Sequence, residues 1–348
     1  MKKNLVALLA VMLMAGGMAM AKSDADLEVL PLLSSKSTQQ NRLWVGTFQL
    51  AWNDLMDGVI NGPVIFEGSK SQLARQLNQQ KFKADQLSED SYYKTYGATS
   101  PELKDTIAKA IKEKFNENSD ILDGMDWTPG AGKYTVYAML KKDFKFLTAF
   151  DKLKPARFAH SFKKVEYFGI NKKSDSVLDK TVNVLFYNSS KDFAVSVNTD
   201  GNDVLYLYRT NDNKTFDKLY SDMFMKKVQY DGPFIFLKND ELKVPNVNLY
   251  REKSFNELCG HKIKGSDMII GQAVETVDFK MDNEGVKLKS EAGIATKMSF
   301  RPTEENVKPR KFYFDDTFVL FLQEADKNKP YFALRVDNAS LINKTARK

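Results

Sequence analysis

The chain has almost none of the residues that build disulfides, metal centres or histidine-dependent active sites. Its 348 residues include a single cysteine, Cys259, and two histidines, His160 and His261. One cysteine cannot close a disulfide within the chain, and so few ligands do not make the clusters that hold zinc. We therefore expect a fold that is held together by packing, with no metal and no cofactor.

Two short motifs resemble catalytic or phosphate-binding sites but lack parts that the chemistry needs. Cys259 and His261 are separated by one glycine, whereas a cysteine nucleophile needs a base placed against it from elsewhere in the fold. The sequence GAGK at Gly130–Lys133 is followed by Tyr134 rather than by Ser or Thr, and the earlier glycine of a phosphate loop is missing. We interpret it as a turn before a strand. No catalytic residue is predicted, and the chain is not expected to be an enzyme.

Long apolar runs are absent except near the N-terminus. Residues 1 to 21 combine Lys2 and Lys3, an apolar run from Leu5 to Ala15 and small residues before Lys22, which is the pattern of a secretory signal peptide. No segment reaches the roughly 20 apolar residues that a membrane helix needs. We expect an exported protein without a membrane span, located in the periplasm or outside the cell.

Charge of one sign is not concentrated anywhere in the chain. Loss of Lys2 and Lys3 with the signal reduces the 52 basic residues to 50, against 45 acidic residues. The lysines are scattered, and aromatic residues are not interleaved with basic ones as they are on nucleic-acid-binding surfaces. We expect a solvated surface of mixed charge, no nucleic-acid partner and a monomer.

The order of the patterns indicates one domain after a short leader. Residues 22 to 40 are polar and rich in serine and are interpreted as the leader, and residues 41 to 343 as a single domain without an internal linker. An apolar stripe predicts a helix over 43 to 60. Ser100 followed by Pro101 predicts the start of another helix, as an N-cap with proline in the first turn.

From Tyr134 onward the apolar residues recur with a period of two, which is typical of strands. Strands are predicted at 134 to 140, 182 to 187, 193 to 197, 203 to 208, 233 to 237, 243 to 249, 268 to 281, 311 to 322 and 330 to 336. Asp200 and Gly201 predict a hairpin turn, and short helices are predicted near 215 to 224 and 254 to 259. Helices mainly in the N-terminal part, followed by strands, favour an α+β fold over alternating βαβ units.

Three segments of the second half resemble, in order, motifs of the serpin family. Residues 186 to 208, FYNSSKDFAVSVNTDGNDVLYLY, resemble the family's paired strands, and residues 241 to 260, ELKVPNVNLYREKSFNELCG, resemble its strand with Leu-Pro-Lys-Phe before a helix. Residues 311 to 338 resemble the C-terminal hairpin. The resemblance implies a serpin-like domain with mixed and antiparallel sheets and an exposed reactive-centre loop.

The stretch from 282 to 309 stands where serpins carry the hinge and the reactive-centre loop, whose pattern is Asn-Glu-Glu-Gly-Thr-Glu followed by alanines. Two registers fit, with Asn283–Gly285 at the acidic-glycine step or Ser290–Thr296 at the alanine-rich step. The resemblance implies a cut after Ser299 in the first register and after Thr303 in the second. The implied bait residues are Ser299, Phe300, Arg301, Thr303 and Glu304.

If this segment inserts as a strand, the same residues face the core in both registers. Alternate residues of a strand share a face, and one face here carries no charge, whereas the lysines and Glu291 fall on the other. The hinge and this inserting face consist of Gly285, Val286, Leu288, Ser290, Ala292, Ile294 and Thr296. Insertion after cleavage, as in the family, would bury no charge. The resemblance thus implies an exported inhibitor that traps a serine or cysteine protease.

Two alternatives stand beside this hypothesis. Residues 274 to 289 would form a plain hairpin that turns at Asp282–Gly285, followed by a surface loop. Leu288 and Ile294 are also larger than the usual hinge residues, which would slow insertion and favour a non-inhibitory binding or structural protein with the same fold. A secreted hydrolase is disfavoured because catalytic candidates are few.

Overall fold

Helices are few and short in the part of the chain that the structure, a computed structural model, describes: residues 27 to 288 and 308 to 342. Its α-helices are Thr47–Asp54 (α1), Gln72–Leu77 (α2), Pro101–Phe115 (α3) and Phe216–Gln229 (α4). A π-helix, Leu55–Ile60, continues α1. Short 3-10 turns lie at Ala84–Gln86, Glu89–Ser91, Leu122–Gly124, Ser176–Thr181, Asn256–Leu258 and Ala339–Leu341. None of the helices in these ranges is long and apolar enough to cross a membrane.

Strands make up most of the remainder. In chain order they are Leu27–Leu30 (β1), Asn41–Val45 (β2), Tyr92–Ala98 (β3), Tyr134–Leu140 (β4), Lys142–Lys145 (β5), Asp151–Arg157 (β6), Lys164–Ile170 (β7), Val182–Ser189 (β8), Asp192–Asn198 (β9), Asp203–Arg209 (β10), Glu241–Pro245 (β11), Val247–Ser254 (β12), Val274–Met281 (β13), Gly285–Leu288 (β14), Lys311–Tyr313 (β15), Phe318–Glu324 (β16) and Phe332–Val336 (β17). The turn predicted at Asp200 and Gly201 joins β9 to β10.

The largest sheet has the strand order β1-β2-β17-β16-β10-β9-β8, and we call it the closed sheet. Its pairs are antiparallel except for β1 with β2. Every residue of β2, β16 and β17 is buried. On one face α4 packs its rings onto the sheet, with Phe216 and Tyr220 at 6.2 and 5.3 Å from Phe321 between ring centroids. A strand buried on both faces needs a continuous apolar run, which explains sequences such as FVLFL.

Three smaller sheets complete the fold. One has the order β12-β13-β14-β5, and we call it the slotted sheet; a second has the order β15-β11-β7-β6; the third is the pair β3-β4. α3 lies against that pair, burying Ile107, Ile111 and Phe115 in a cluster with Tyr137 and Met139. β4 and β5 follow each other in the chain with one residue between them, so the β3-β4 pair continues directly into the slotted sheet.

The predicted helix start at Ser100 is confirmed. The Ser100 hydroxyl accepts a hydrogen bond from the Leu103 N–H at 3.2 Å, and Pro101 occupies the first helical position. The helix ends at Asn116, whose φ of 52° lies in the left-handed region. The N-cap serine and the proline after it therefore predicted where the helix begins.

Other predictions are wrong. The predicted strands 243 to 249 and 311 to 322 are each divided between two strands in different sheets, because the chain leaves one sheet for another at Asn246 and between Tyr313 and Phe318. The apolar stripe from 43 begins in β2, because Leu43 and its neighbours pair with β17, and α1 starts only at Thr47. Residues 27 to 30, assigned to the polar leader, form β1 on the edge of the closed sheet. Residues 233 to 237 make only one isolated bridge, at Ile235; a proline at the start of this segment removes a donor that a ladder would need.

Candidate functional site

The segment that the sequence singles out begins as the second strand of a hairpin. β13 ends just before Asp282, β14 begins at Gly285, and the two strands pair antiparallel. This is the turn of the hairpin alternative. β14 is not an edge strand, however, because its other side pairs with β5, with Leu288 opposite Lys142. The first four residues after the turn therefore already lie inside a sheet.

The turn itself is anchored on the chain that follows β5. The N–H of Phe146 donates to the carbonyl of Glu284, and the N–H of Phe150 donates to the carbonyl of Asn283, both at 2.9 Å. The Asn283 side-chain amide also donates to the carbonyl of Phe150 at 3.3 Å. These bonds hold the turn at a fixed position at one end of the slotted sheet.

Gly285 lies where β14 approaches β5 most closely. A Cβ atom at this position would lie 2.1 Å from the carbonyl oxygen of Phe144 and 2.8 Å from the Cα of Lys145, well inside van der Waals contact. Glycine allows a backbone approach that other residues prevent. The close approach gives a physical reason for a glycine here, while its role as a hinge stays a prediction.

The side chains of β14 alternate between the interior and the solvent. Val286 and Leu288 are buried, whereas Lys287 is exposed and lies 3.6 Å from the carboxylate of Asp143. This is the alternation that the sequence predicts for these three residues.

Outside the described residues lie Ser290, Ala292, Ile294, Thr296, Ser299, Phe300, Arg301, Thr303 and Glu304. Their roles stay predictions.

A gap in the sheet continues from the end of β14. Among the described strands, β13 is paired with β14 only from Phe279 to Met281, and β4 is paired only with β3. Residues 274 to 278 of β13 and residues 134 to 140 of β4 line a cavity of about 530 Å³ between them. Leu288 lines it as well. We call this cavity the slot.

The helix α1 closes the slot from below with apolar side chains. Phe48, Ala51, Trp52 and Leu55, from α1 and the first residue of the π-helix, line the cavity. Phe48 and Trp52 are buried, at 8% and 4% exposure. A strand that enters the slot would therefore find apolar surface beneath it and, on both sides, the edges of β4 and β13, which pair with no other described strand there. These are the two requirements of a central strand.

A carboxyl group is buried in the wall of the slot. Glu275 of β13 is 4% exposed, and its Oε1 accepts a hydrogen bond from the N–H of Phe48, at the start of α1, at 3.0 Å. Its Oε2 has no hydrogen-bond partner among the described residues. Burial raises the pKa of Glu275 to about 8, against the small opposing effect of the Phe48 N–H. The group is therefore mostly protonated at neutral pH.

A buried ion network holds β5 at the end of the slot. The Nζ of Lys142 lies 2.6 Å from Glu324 of β16 and 2.9 Å from Asp203 of β10, and all three residues are buried. Tyr331 donates its hydroxyl to Asp203 at 2.9 Å. Burial raises the pKa of Asp203; burial opposes ionisation of Glu324 too, but Lys142 and hydrogen bonds from Ser88 lower its pKa. The network ties the slotted sheet to the closed sheet.

Sequence reasoning missed Glu275 and Lys142, although both left a signal. In VETVDFKM, Glu275 occupies the same parity as Val277, Phe279 and Met281, which the strand buries. Lys142 occupies the buried parity of β5 together with Phe144. A charged residue on the inward face of a strand is uncommon and indicates a partner or a function.

The region of Cys259 offers no second site. The thiol is partly buried, which raises its pKa and disfavours the reactive thiolate. His261 packs its ring against Phe66 at 5.4 Å between centroids. In the described ranges, no group of His, Cys, Asp and Glu side chains has an arrangement that would hold a metal ion.

Comparison with solved structures shows which known fold this arrangement of sheets and helices resembles. No family model and no curated protein matches the sequence. A complex of thyroxine-binding globulin with thyroxine is 10% identical with a TM-score of 0.51, over 85% of this chain and 92% of that one. The mouse protein-Z dependent protease inhibitor is 13% identical with a TM-score of 0.50, over 86% and 91%. Serpin48 of the insect Tenebrio molitor is 14% identical with a TM-score of 0.47, over 86% and 92%.

The first two of these likenesses, each over more than four fifths of both chains, carry the fold assignment. The expected fold is thereby confirmed in its main feature, an α+β chain of mixed and antiparallel sheets. The chain has the fold of the serpins.

Proposed function

We propose that this protein is an exported inhibitor of serine or cysteine proteases, which traps its target when a cleaved loop enters the slot. The observation that carries the proposal is the position of β14, which already lies between β5 and β13 and ends where the slot begins. Cleavage beyond Leu288 would free the chain that follows β14 to continue in the same direction, between β4 and β13, whose facing edges are unpaired within the described part of the chain.

The pairing of β14 defines the register that an inserted strand would take. Continuation of the observed pairs, without a bulge, would place Ser290 opposite Val277 of β13, and Ala292 opposite Glu275. The parity of Val286 and Leu288 would put the uncharged residues inward and the lysines outward. Burying an unpaired charge would oppose insertion by several kcal/mol, and this register requires none.

The position of the turn favours the first of the two registers that the sequence left open. In that register Asn283–Gly285 is the acidic-glycine step, and Gly285 is the residue that β5 approaches too closely for a side chain. The cleaved bond would then be the one after Ser299. The catalytic hydroxyl or thiol of the protease would attack the Ser299 carbonyl, the bond to Phe300 would break, and the new amino group would leave with the proton.

The free energy for trapping would come from the backbone hydrogen bonds and apolar contacts that form when the cleaved loop enters the slot. Each backbone hydrogen bond that an inserted strand completes contributes about 0.5–1.5 kcal/mol, and apolar side chains that reach α1 add about 25 cal/mol per Å² buried. The protease supplies the covalent chemistry, so the inhibitor needs stored free energy and no catalytic group of its own.

The same fold serves more than one function, which gives a second candidate. One of the similar structures is described as a protease inhibitor and another as a globulin in complex with thyroxine. The fold alone does not choose between them. The slot is itself a cavity of about 530 Å³ with an apolar floor, and a protein that kept this cavity without inserting its loop would be a binding protein.

A pair of matched variants tests the inhibitor proposal. The full chain, freed of residues 1 to 21, is incubated with chymotrypsin-like, elastase-like and papain-like proteases, and a covalent band on a denaturing gel is the expected result. Ala292→Asp places a charge on the inward parity and should abolish the band, whereas Ala295→Asp on the outward parity should keep it.

Heat stability separates the two candidates. Nicking the loop with a promiscuous protease should raise the melting temperature of an inserting protein sharply. An unchanged melting temperature together with no covalent band for any protease class would overturn the inhibitor proposal and favour the binding protein.

A further inference from the structure

A second cleft lies between the edge of the closed sheet and the edge of the slotted sheet. Its walls are residues 27 to 29 of β1, the chain from 36 to 39, the start of α4 with the residues before it, and Arg251 and Lys253 of β12. The cleft has a volume of about 840 Å³, within the range of ligand sites of roughly 300–1,000 Å³. It is separate from the slot, since no residue lines both cavities.

Positive charge dominates the lining. The basic residues are Lys36, Lys214, Lys218, Arg251 and Lys253, and the acidic one is Glu28. Lys214 is already paired with Asp212 and Asp222, at 3.0 and 2.6 Å. Within the described part of the chain, the other four cations are in no ion pair, and the Glu28 carboxylate is taken up by the Ser37 hydroxyl.

Arg251 and Lys253 are not ordinary surface residues. They lie on the parity of β12 that buries Val247 and Leu249, and each is itself partly buried. An amphipathic strand places apolar residues at such positions, and a partly buried charge that is in no ion pair is held at a cost. Among the described residues, the Lys253 ammonium has only the ring of Phe255 beside it, at 5.7 Å from the ring centroid. Two such cations side by side indicate that the cleft is built for an anion.

Hydroxyl groups complete the lining with neutral donors. Thr38 and Thr215 line the cleft, and the Thr215 hydroxyl has no hydrogen-bond partner among the described residues. The Ser37 hydroxyl also lines it but already donates to Glu28. Phosphate and sulfate groups take several donors at once and bind to cations through charge-assisted hydrogen bonds. Arg251 and Lys253, two residues apart on one strand, are separated by roughly 6.6 Å along it, enough to engage two oxyanions.

We propose that this cleft binds a small oligoanion that carries at least two phosphate or sulfate groups, with Arg251 and Lys253 as the principal contacts. Its position beside β12, the outer strand of the slotted sheet, puts the ligand outside the slot. The proposal does not depend on protease inhibition, because it concerns different residues and a different cavity.

Calorimetric titration of the full chain at low salt tests the proposal, with inorganic tripolyphosphate in one arm and sucrose octasulfate in the other. We expect binding of one ligand per chain that weakens as salt is added. The double variant R251Q/K253Q should bind about 10-fold more weakly or worse. The control K172Q/K173Q, which removes the same charge at two exposed lysines away from the cleft, should bind as the unaltered chain does.

The two arms identify the ligand chemistry. Binding of both probes supports a site for oxyanions in general, and binding of one alone assigns the site to phosphate or to sulfate ligands. If R251Q/K253Q does not fold, K36Q/K218Q at exposed lining positions serves instead. Binding of neither probe, or an equal loss in the K172Q/K173Q control, would overturn the proposal.

Discussion

The closed sheet and the slotted sheet differ in how far their strands are buried and in whether their inner strand edges are paired. In the closed sheet β2, β16 and β17 are buried along their whole length, and each is paired on both sides. In the slotted sheet β13 alternates between buried and exposed residues, and part of its edge faces the slot. A sheet with one wet face accepts an amphipathic strand, because the strand's charged residues stay in water. If the loop inserts as proposed, the slotted sheet, with its open face, is therefore the sheet that can accept it.

The largest expected effect comes from breaking the link between the two sheets. Lys142→Met would leave Asp203 and Glu324 buried without their cation, which should cost about 3–5 kcal/mol in the free energy of unfolding, measured with urea. Lys145→Met, on the exposed parity of the same strand, should cost less than about 0.5 kcal/mol.

The double variant Lys142→Met/Glu324→Gln sharpens this test. Removing one of the two stranded carboxylates should recover part of the loss. If the Lys142 and Lys145 variants were equally stable, the buried network would not be what holds β5 against the closed sheet.

The pH dependence of stability tests the wall of the slot. Burial raises the pKa of Glu275 from 4.5 to about 8, so the native state keeps a proton that the unfolded state loses. The resulting stabilisation is fully present below about pH 4.5 and is lost progressively as the pH rises towards 8. Glu275→Gln keeps a neutral side chain and should exceed the unaltered protein in stability near pH 8, by of the order of 3 kcal/mol.

The control for this effect is the same substitution at Glu284, which is exposed at the tip of the hairpin. Glu284→Gln should leave the slope of stability against pH unchanged. A slope that Glu275→Gln does not alter would mean that this carboxyl group is ionised in the native protein.

A smaller effect is expected where β14 meets β5. Gly285→Ala places a methyl group 2.1 Å from the carbonyl oxygen of Phe144, so the strands must separate, at a cost of about 2 kcal/mol. Amide hydrogen exchange of Val286 and Lys287 should quicken at the same time. Gly271→Ala, where a Cβ meets nothing within 4 Å, is the control, and equal costs at both glycines would count against the close approach.

The sequence predicted several strands whose apolar residues alternate or form a long apolar run, but it missed the inner strand β7. β4 was predicted with its exact bounds, and β10 was found within one residue, because their apolar residues alternate or run together. β6, DKLKPAR, was missed because it is a polar edge strand with a proline, at the end of its sheet. Edge strands avoid the pattern that reveals inner ones.

The candidate site was predicted in its parity but not in its partners. The alternation of apolar and charged residues predicted which residues of β14 point inward. An alternating pattern does not show which strand will pair with β14. The pairing of Leu288 with Lys142 joins residues far apart in the chain. Glu275 and Lys142 were missed for a related reason: their burial depends on neighbours from other elements.

The smallest expected effect concerns the outward face of β14. Lys287 and Asp143 lie 3.6 Å apart with side chains 68% and 38% exposed, and an exposed pair of this kind is worth about 0–1 kcal/mol. A double-mutant cycle of Lys287→Ala and Asp143→Ala, followed by urea unfolding, should therefore give a coupling of at most a few tenths of a kcal/mol. A larger coupling energy would mean that this face of β14 is partly shielded from solvent. Lys289, Glu291 and Lys297 would then be buried by insertion, which would remove the physical difference between the two sheets on which loop insertion depends.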